Sequence, residues 1–226
     1  MLDNYFITSL CSYFIYYSIS YLLYRKKYIE KYNWNVITYI MSTINSIICI
    51  KMSLSEILFN PNVGDFYEMS ENGSKGLYQL SSYLFIDGLF GLYFFKFEIK
   101  DMMTFIHHII GGLGVFLIAY HRKAFGIGCY FAMTELSTPL LNISWYFYVN
   151  NIKGKFVDTT FLTAYILFIL SRIVTFPFLL MYIGYNEHNI NFLTLFEKSY
   201  VYYGSYILIS LNLIWFIRFS RKIFKF

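Results

Sequence analysis

His107 and His108 stand side by side in an apolar run, with Phe105-Ile106 before them and Ile109-Ile110 after. Imidazole titrates near neutral pH, so it can act as a general base or as an acyl-accepting nucleophile. Asp87, upstream, is a carboxylate able to orient such a ring. Downstream comes Glu135-Leu136-Ser137-Thr138-Pro139-Leu140-Leu141-Asn142. Glu135 and Asn142 are seven residues apart, which puts them on one face of a helix. Arg172 and Asn212 complete the set of polar groups inside greasy sequence. Ionisable residues in such surroundings are costly and mark function or pairing. The stretch Met102 to Trp145 is therefore the one the chain is organised around.

The elements that hold these residues are membrane spans. The chain of 226 residues is 58% hydrophobic and only 14% charged. A soluble domain carries about a quarter charged residues, so the balance excludes an ordinary soluble enzyme. A spanning helix needs about 20 mostly apolar residues. The sequence predicts an all-α bundle of about seven spans: Phe6–Tyr24, Trp34–Ile50, Leu80–Phe95, Met102–Tyr120, Phe125–Val149, Phe156–Ile183 and Tyr200–Phe219. Pro139 is expected to kink the fifth. Leu54–Phe59 is expected to lie on the membrane surface as a short amphipathic turn. Asn60-Pro61-Asn62 and Asn72-Gly73-Ser74 read as turns, and Lys96–Asp101 as a charged link.

Residues 1–33 read as an anchor helix with a basic link, 34–219 as the membrane domain and 220–226 as a basic tail. No basic residue precedes the first apolar run and no small-residue cleavage site follows it, so it is expected to stay as an anchor. Cys11, Cys49 and Cys129 are isolated in apolar runs and read as small buried hydrophobes.

Orientation follows from Lys and Arg. With the end of the first helix in the cytosol, that side holds twelve of the eighteen and the other side five, with Arg172 between. The positive-inside rule then puts the N-terminus outside or in a lumen and the C-terminus in the cytosol. Asn72-Gly73-Ser74, a glycosylation acceptor pattern, falls on the luminal side. At 1.5 Å per residue, His107 and His108 lie about 8 Å from the cytosolic end of their helix, Asp87 about 12 Å and Asn212 about 10 Å. Glu135 and Arg172 lie deeper, about 20 Å in. The first group can share one level, and the second, opposite in charge, can form an ion pair at another.

Structural readings compete at each position. A Glu135–Arg172 pair offsets the cost of two buried charges whether or not it does chemistry. Adjacent histidines point about 100° apart, so one can face a cavity while the other packs against a helix. Gly111, Gly112 and Gly114 are expected to let neighbouring helices approach. The histidine clusters of membrane desaturases are absent, and no metal is expected. The Asp-Arg-Tyr and Asn-Pro-x-x-Tyr signals of seven-span receptors are absent too.

In order along the chain, these positions resemble the TLC-domain family, the membrane module of ceramide synthases and their relatives. Tyr83-Leu84-Phe85-Ile86-Asp87 is similar to its aromatic-x-x-x-Asp helix, and Phe105-Ile106-His107-His108 to its His-His helix. Glu135-Leu136-Ser137-Thr138-Pro139, with Trp145 beyond, resembles its Glu-Leu-Ser-Thr-Pro signature. Arg172 with Pro177, and Leu211-Asn212-Leu213-Ile214-Trp215-Phe216, fit its last two helices. The resemblance spans about Trp34 to Arg218. The acidic cluster that follows the His helix in ceramide synthases is missing, since His121-Arg122-Lys123 holds no acid. The chain is thus more similar to the non-synthase branch.

The resemblance implies a helical bundle in the endoplasmic reticulum with a cavity open to the cytosol and a role in lipid metabolism or homeostasis. It implies acyl transfer from acyl-CoA, as co-substrate and not bound cofactor, to a lipid acceptor. His107 or His108 would then be base or acyl carrier, Asp87 the orienter, and Glu135, Asn142, Arg172 and Asn212 cavity groups. Membrane lipids are the expected partners; a homodimer is allowed and nucleic acid is not expected. The alternative is a non-enzymatic lipid-binding regulator or a cargo-binding membrane protein. A transporter, with the buried charges along a pathway, is a weaker third reading.

Overall fold

The computed structural model describes residues 4–25, 34–59, 71–94 and 99–224. Among the described residues all regular structure is helical. The helices are α1 (Asn4–Arg25), α2 (Trp34–Phe59), α3 (Glu71–Phe94), α4 (Ile99–His121), α5 (Phe125–Met133), α6 (Thr138–Val149), α7 (Lys155–Phe168), α8 (Thr175–Tyr185) and α9 (Leu195–Phe224). A 3-10 turn, Thr134–Ser137, joins α5 to α6, and a π-helical turn, Ile169–Val174, joins α7 to α8. Each of these pairs forms one rod, so the described helices make seven rods. Five stretches are long and apolar enough to cross a membrane: Asn4–Leu23, Val36–Phe59, Met102–His121, Lys155–Tyr185 and Leu195–Phe224.

Several boundaries differ from the sequence reading. α2 runs unbroken to Phe59, so Leu54–Phe59 is its last turn and not a separate surface element. α3 begins at Glu71, within the stretch read as polar connection. Asn72-Gly73-Ser74 is therefore helical, and Ser74 is buried. Asn60-Pro61-Asn62 and the first half of the Lys96–Asp101 link, residues 96–98, lie outside the described residues; its second half is already helical, because α4 begins at Ile99. Cys49 and Cys129 are buried as expected, but Cys11 is exposed on α1. α9 starts at Leu195 because Thr194 and Glu197 form a capping box. The Thr194 backbone N–H donates to Glu197 Oε2 at 2.8 Å, and the Glu197 N–H donates to Thr194 Oγ1 at 3.3 Å.

Six rods close into a ring, in the order α2, α3, α4, α9, α8/α7 and α6/α5, with α5/α6 returning to α2. α1 stands outside the ring, packed on α3. The ring is drawn tight at the α5 end, where α5 touches α2, α3, α4 and α8. At the other end α6 packs mainly against α2 and α7 among the described helices, leaving space within. Lipid tails supply no hydrophobic drive for helix association, so packing and interhelical hydrogen bonds must do it. Ser81 on α3 donates to the Gly112 carbonyl at 2.8 Å, and Tyr200 on α9 to that of Ile110. Asn142 on α6 donates to Thr43 Oγ1 on α2 at 2.9 Å and to the Tyr39 carbonyl at 3.2 Å. Tyr165 and Ser220 join α7 to α9 at 2.9 Å.

The glycines act as expected at one position of the three. A Cβ on Gly112 would stand 3.2 Å from the Phe85 ring, so the glycine lets α3 and α4 approach closely there. Gly111 has ordinary room. Gly114 has no side-chain neighbour within 4 Å and faces a cavity.

Candidate functional site

Two cavities run end to end through the ring. The larger holds about 420 Å³ and opens at the end carrying the C-terminus of α9. His107, His108, Glu135, Asn142 and Arg172 line its inner part; Tyr148, Arg218 and Lys222 line its mouth. The smaller, about 90 Å³, is almost wholly apolar and runs toward Lys123 and Phe192 at the opposite end. His107, Glu135 and Leu84 line both, so the two cavities meet at the polar cluster.

The histidines take different partners, as their angular separation requires. His108 turns toward α3, where its Nδ1 lies 2.9 Å from Asp87 Oδ2. The approach is off the line of the ring N–H, so this is a close polar contact and not an aligned hydrogen bond. Gly88 makes room for it: a Cβ there would stand 3.1 Å from the His108 Cβ. His107 turns toward α9, and its ring meets the Trp215 ring edge at 5.0 Å. Asp87 lines neither cavity; it sits behind His108, with Oδ1 accepting from the Tyr17 hydroxyl on α1.

Deeper in, Glu135 and Arg172 form an ion pair at 3.2 Å. Arg172 also donates to Thr138 Oγ1 at 2.9 Å and, through Nε, to the Thr134 carbonyl at 3.2 Å. Thr138 donates to Glu135 Oε2 at 2.6 Å. Ser46 on α2 donates to the same oxygen at 3.4 Å, so Glu135 has three donors and the guanidinium three acceptors. A buried pair is tolerable only when its remaining donors and acceptors are met in this way.

Of the predicted residues, the structure joins His108 to Asp87 and Glu135 to Arg172. Asn142 lines the chamber, but its amide is committed to α2. Asn212 departs from the expectation. It is fully buried in α9 and lines neither cavity, because its face of the helix turns into the packing. Sequence reading missed Thr138, Tyr17 and Gly88. Thr138 was visible in principle, three residues after Glu135 and so on the same face. Tyr17 gave no signal among the many aromatic residues of α1. The mouth is basic: Arg218 and Lys222 carry it, and Lys222 Nζ stands 4.6 Å over the Tyr148 ring. Among the described residues no three His, Cys, Asp or Glu side chains are placed to hold a metal ion.

A ring of apolar helices around a polar, basic-mouthed chamber defines a multi-pass membrane protein. A family model described as TLC domain matches residues 29–221, and the chain belongs to that family. The matched residues include all six rods of the ring and leave out α1. Neither a curated protein nor a solved structure matches the chain.

Proposed function

We propose that this TLC-domain protein acts in lipid metabolism by moving an acyl group from acyl-CoA to a lipid acceptor with an amine or hydroxyl. One observation carries the reading: the polar chamber and the apolar cavity meet at His107, beside the His108–Asp87 contact. A thioester at that junction has its chain directed toward apolar walls and its carrier toward the basic mouth. Arg218 and Lys222 suit an anionic carrier. The Lys and Arg distribution supports a cytosolic mouth, the side on which acyl-CoA is delivered; that orientation and residence in the endoplasmic reticulum are part of the same proposal.

In this reading His108 is the base, oriented by Asp87. It takes the proton from the acceptor's nucleophile as that atom attacks the thioester carbonyl. The carbon–sulfur bond then breaks, and the leaving thiolate takes the proton back from the imidazolium. One acyl group moves and one CoA thiol is released. His107 holds the reacting group at the junction. Glu135 and Arg172 shape the chamber wall.

A second reading, a non-enzymatic lipid-binding regulator, is favoured by the misalignment of His108 with Asp87 and by the internal engagement of Asn142 and Arg172. The test is lipid profiling of cells expressing wild type or His107→Ala/His108→Ala at matched protein levels. A lipid class raised by wild type alone supports acyl transfer and names the product. The same shift from both proteins means that the histidines do no chemistry and favours the regulator; no shift from either removes the acyltransferase reading.

A further inference from the structure

α1 lies outside the ring of six rods and outside the residues the TLC domain matches, yet it sends a polar group into the site. Tyr17 is fully buried, and its hydroxyl donates to Asp87 Oδ1. The other oxygen of that carboxylate lies 2.9 Å from His108 Nδ1. The Tyr17 ring is held by Phe90 at 5.1 Å and Tyr16 at 5.7 Å, so its hydroxyl has little freedom to leave. A hydroxyl buried without a partner is costly, and here the partner is the site's carboxylate. Tyr13, also on α1, donates instead to Asn45 Oδ1 on α2 at 3.0 Å and accepts from Gln79 Nε2 on α3 at 3.3 Å, away from Asp87.

A carboxylate on a single-bonded side chain can rotate. Fixing one oxygen fixes the direction of the other. A donor of this kind sets the orientation of a histidine by holding the group that touches it. We propose that Tyr17 is a positioning residue for the Asp87–His108 pair, so that α1 completes the site from outside the family's module and is more than an anchor. The inference rests on the acyl-transfer reading only for its consequence in activity; the positioning itself is measurable without turnover.

The experiment uses the full chain in lipid nanodiscs. The rate of His108 carbethoxylation by diethyl pyrocarbonate is read by peptide mass spectrometry against exposed His188 in the same molecule. Tyr17→Phe is expected to change the His108 rate about threefold or more, and Tyr13→Phe to leave it unchanged. On an Asp87→Asn background the effect of Tyr17→Phe should vanish, because the coupling runs through that carboxylate. An unchanged His108 rate in folded Tyr17→Phe overturns the inference, as does an effect that persists with Asp87→Asn. If Tyr17→Phe does not fold, 3-fluorotyrosine at position 17 keeps the shape and strengthens the donor; it must also alter the His108 rate, or the inference falls. With acyl-CoA and acceptor, Tyr17→Phe should lower kcat about tenfold with KM little changed. A wild type that turns over no acyl-CoA removes the proposed function and leaves the reactivity result to decide the role of Tyr17.

Discussion

Arg172 and Glu135 meet where both of their helices cease to be α-helical. Glu135 sits on the 3-10 turn Thr134–Ser137, Arg172 on the π-helical turn Ile169–Val174, and the two are 3.2 Å apart. Such turns free backbone groups and re-aim side chains, and they recur at functional sites. The Thr134 carbonyl, which accepts from Arg172, lies in the 3-10 turn itself. The irregular backbone and the buried charges form one arrangement.

Breaking that pair should be costly. Arg172→Leu removes the cation from the Glu135 carboxylate, whose side chain is only 12% exposed. A loss of about 3–5 kcal/mol is expected from removing one partner of a buried pair. Arg172→Leu/Glu135→Leu should recover most of it. Thermal unfolding in detergent of the two single variants and the double variant gives the coupling directly; a double variant no better than Arg172→Leu would contradict this.

Gly88 should be sensitive for a steric reason. The added Cβ would stand 3.1 Å from the root of His108, which has no flexible end to yield. Gly88→Leu is expected to destabilise by about 1–3 kcal/mol and to drive His108 from Asp87. The check is melting temperature together with the carbethoxylation rate of His108. A variant with both at wild-type values would mean that α3 and α4 separate freely.

Gly114 should behave in the opposite way. It borders the apolar cavity, and a Cβ there meets nothing within 4 Å. Gly114→Leu should leave stability unchanged or raise it by up to about 1 kcal/mol, since glycine is a poor helix former. It should also reduce the occupancy of long-chain ligands, measured by native mass spectrometry of the purified protein. Equal occupancy in variant and wild type would argue that chains do not enter this cavity.

The start of α9 offers a local test. Thr194→Ala removes the hydroxyl that accepts from the Glu197 N–H. The expected cost is about 1 kcal/mol, read as a fall in melting temperature. Glu197 also contacts His121 Nε2 at 2.8 Å, so Glu197→Ala should cost more than Thr194→Ala. An equal loss from both would show that the His121 contact adds nothing.

The legible and the illegible divide by range. The helices, the membrane-crossing length of five of the seven rods and the position of the fifth rod's break were visible, because hydropathy and Pro139 act within a few residues of themselves. The break itself lies just before Pro139, as loss of the proline N–H requires. The π-helical turn at Arg172 was not visible. It depends on acceptors from another rod, the Thr134 carbonyl, Thr138 and Glu135. The early start of α3 was missed because Glu71–Gln79 is polar, and polarity in a membrane chain resembles a loop. The Thr194-x-x-Glu197 box was present in the sequence but outside the apolar window.

By itself, the sequence determined the composition of the site and the scaffold class: greasy helices carrying two histidines, two acids and an arginine. Local hydropathy and charge suffice for that. Which groups touch was decided by tertiary structure. Depth along a helix brought Asp87 to the level of His108, but the facing of α3 toward α4 made the contact. The rotation of α9 about its own axis turned Asn212 away from both cavities. Tyr17 reached Asp87 only because α1 packs on the outer face of α3. Rotation about a helix axis is set by the packing of all its neighbours, and a single helix's sequence does not contain it.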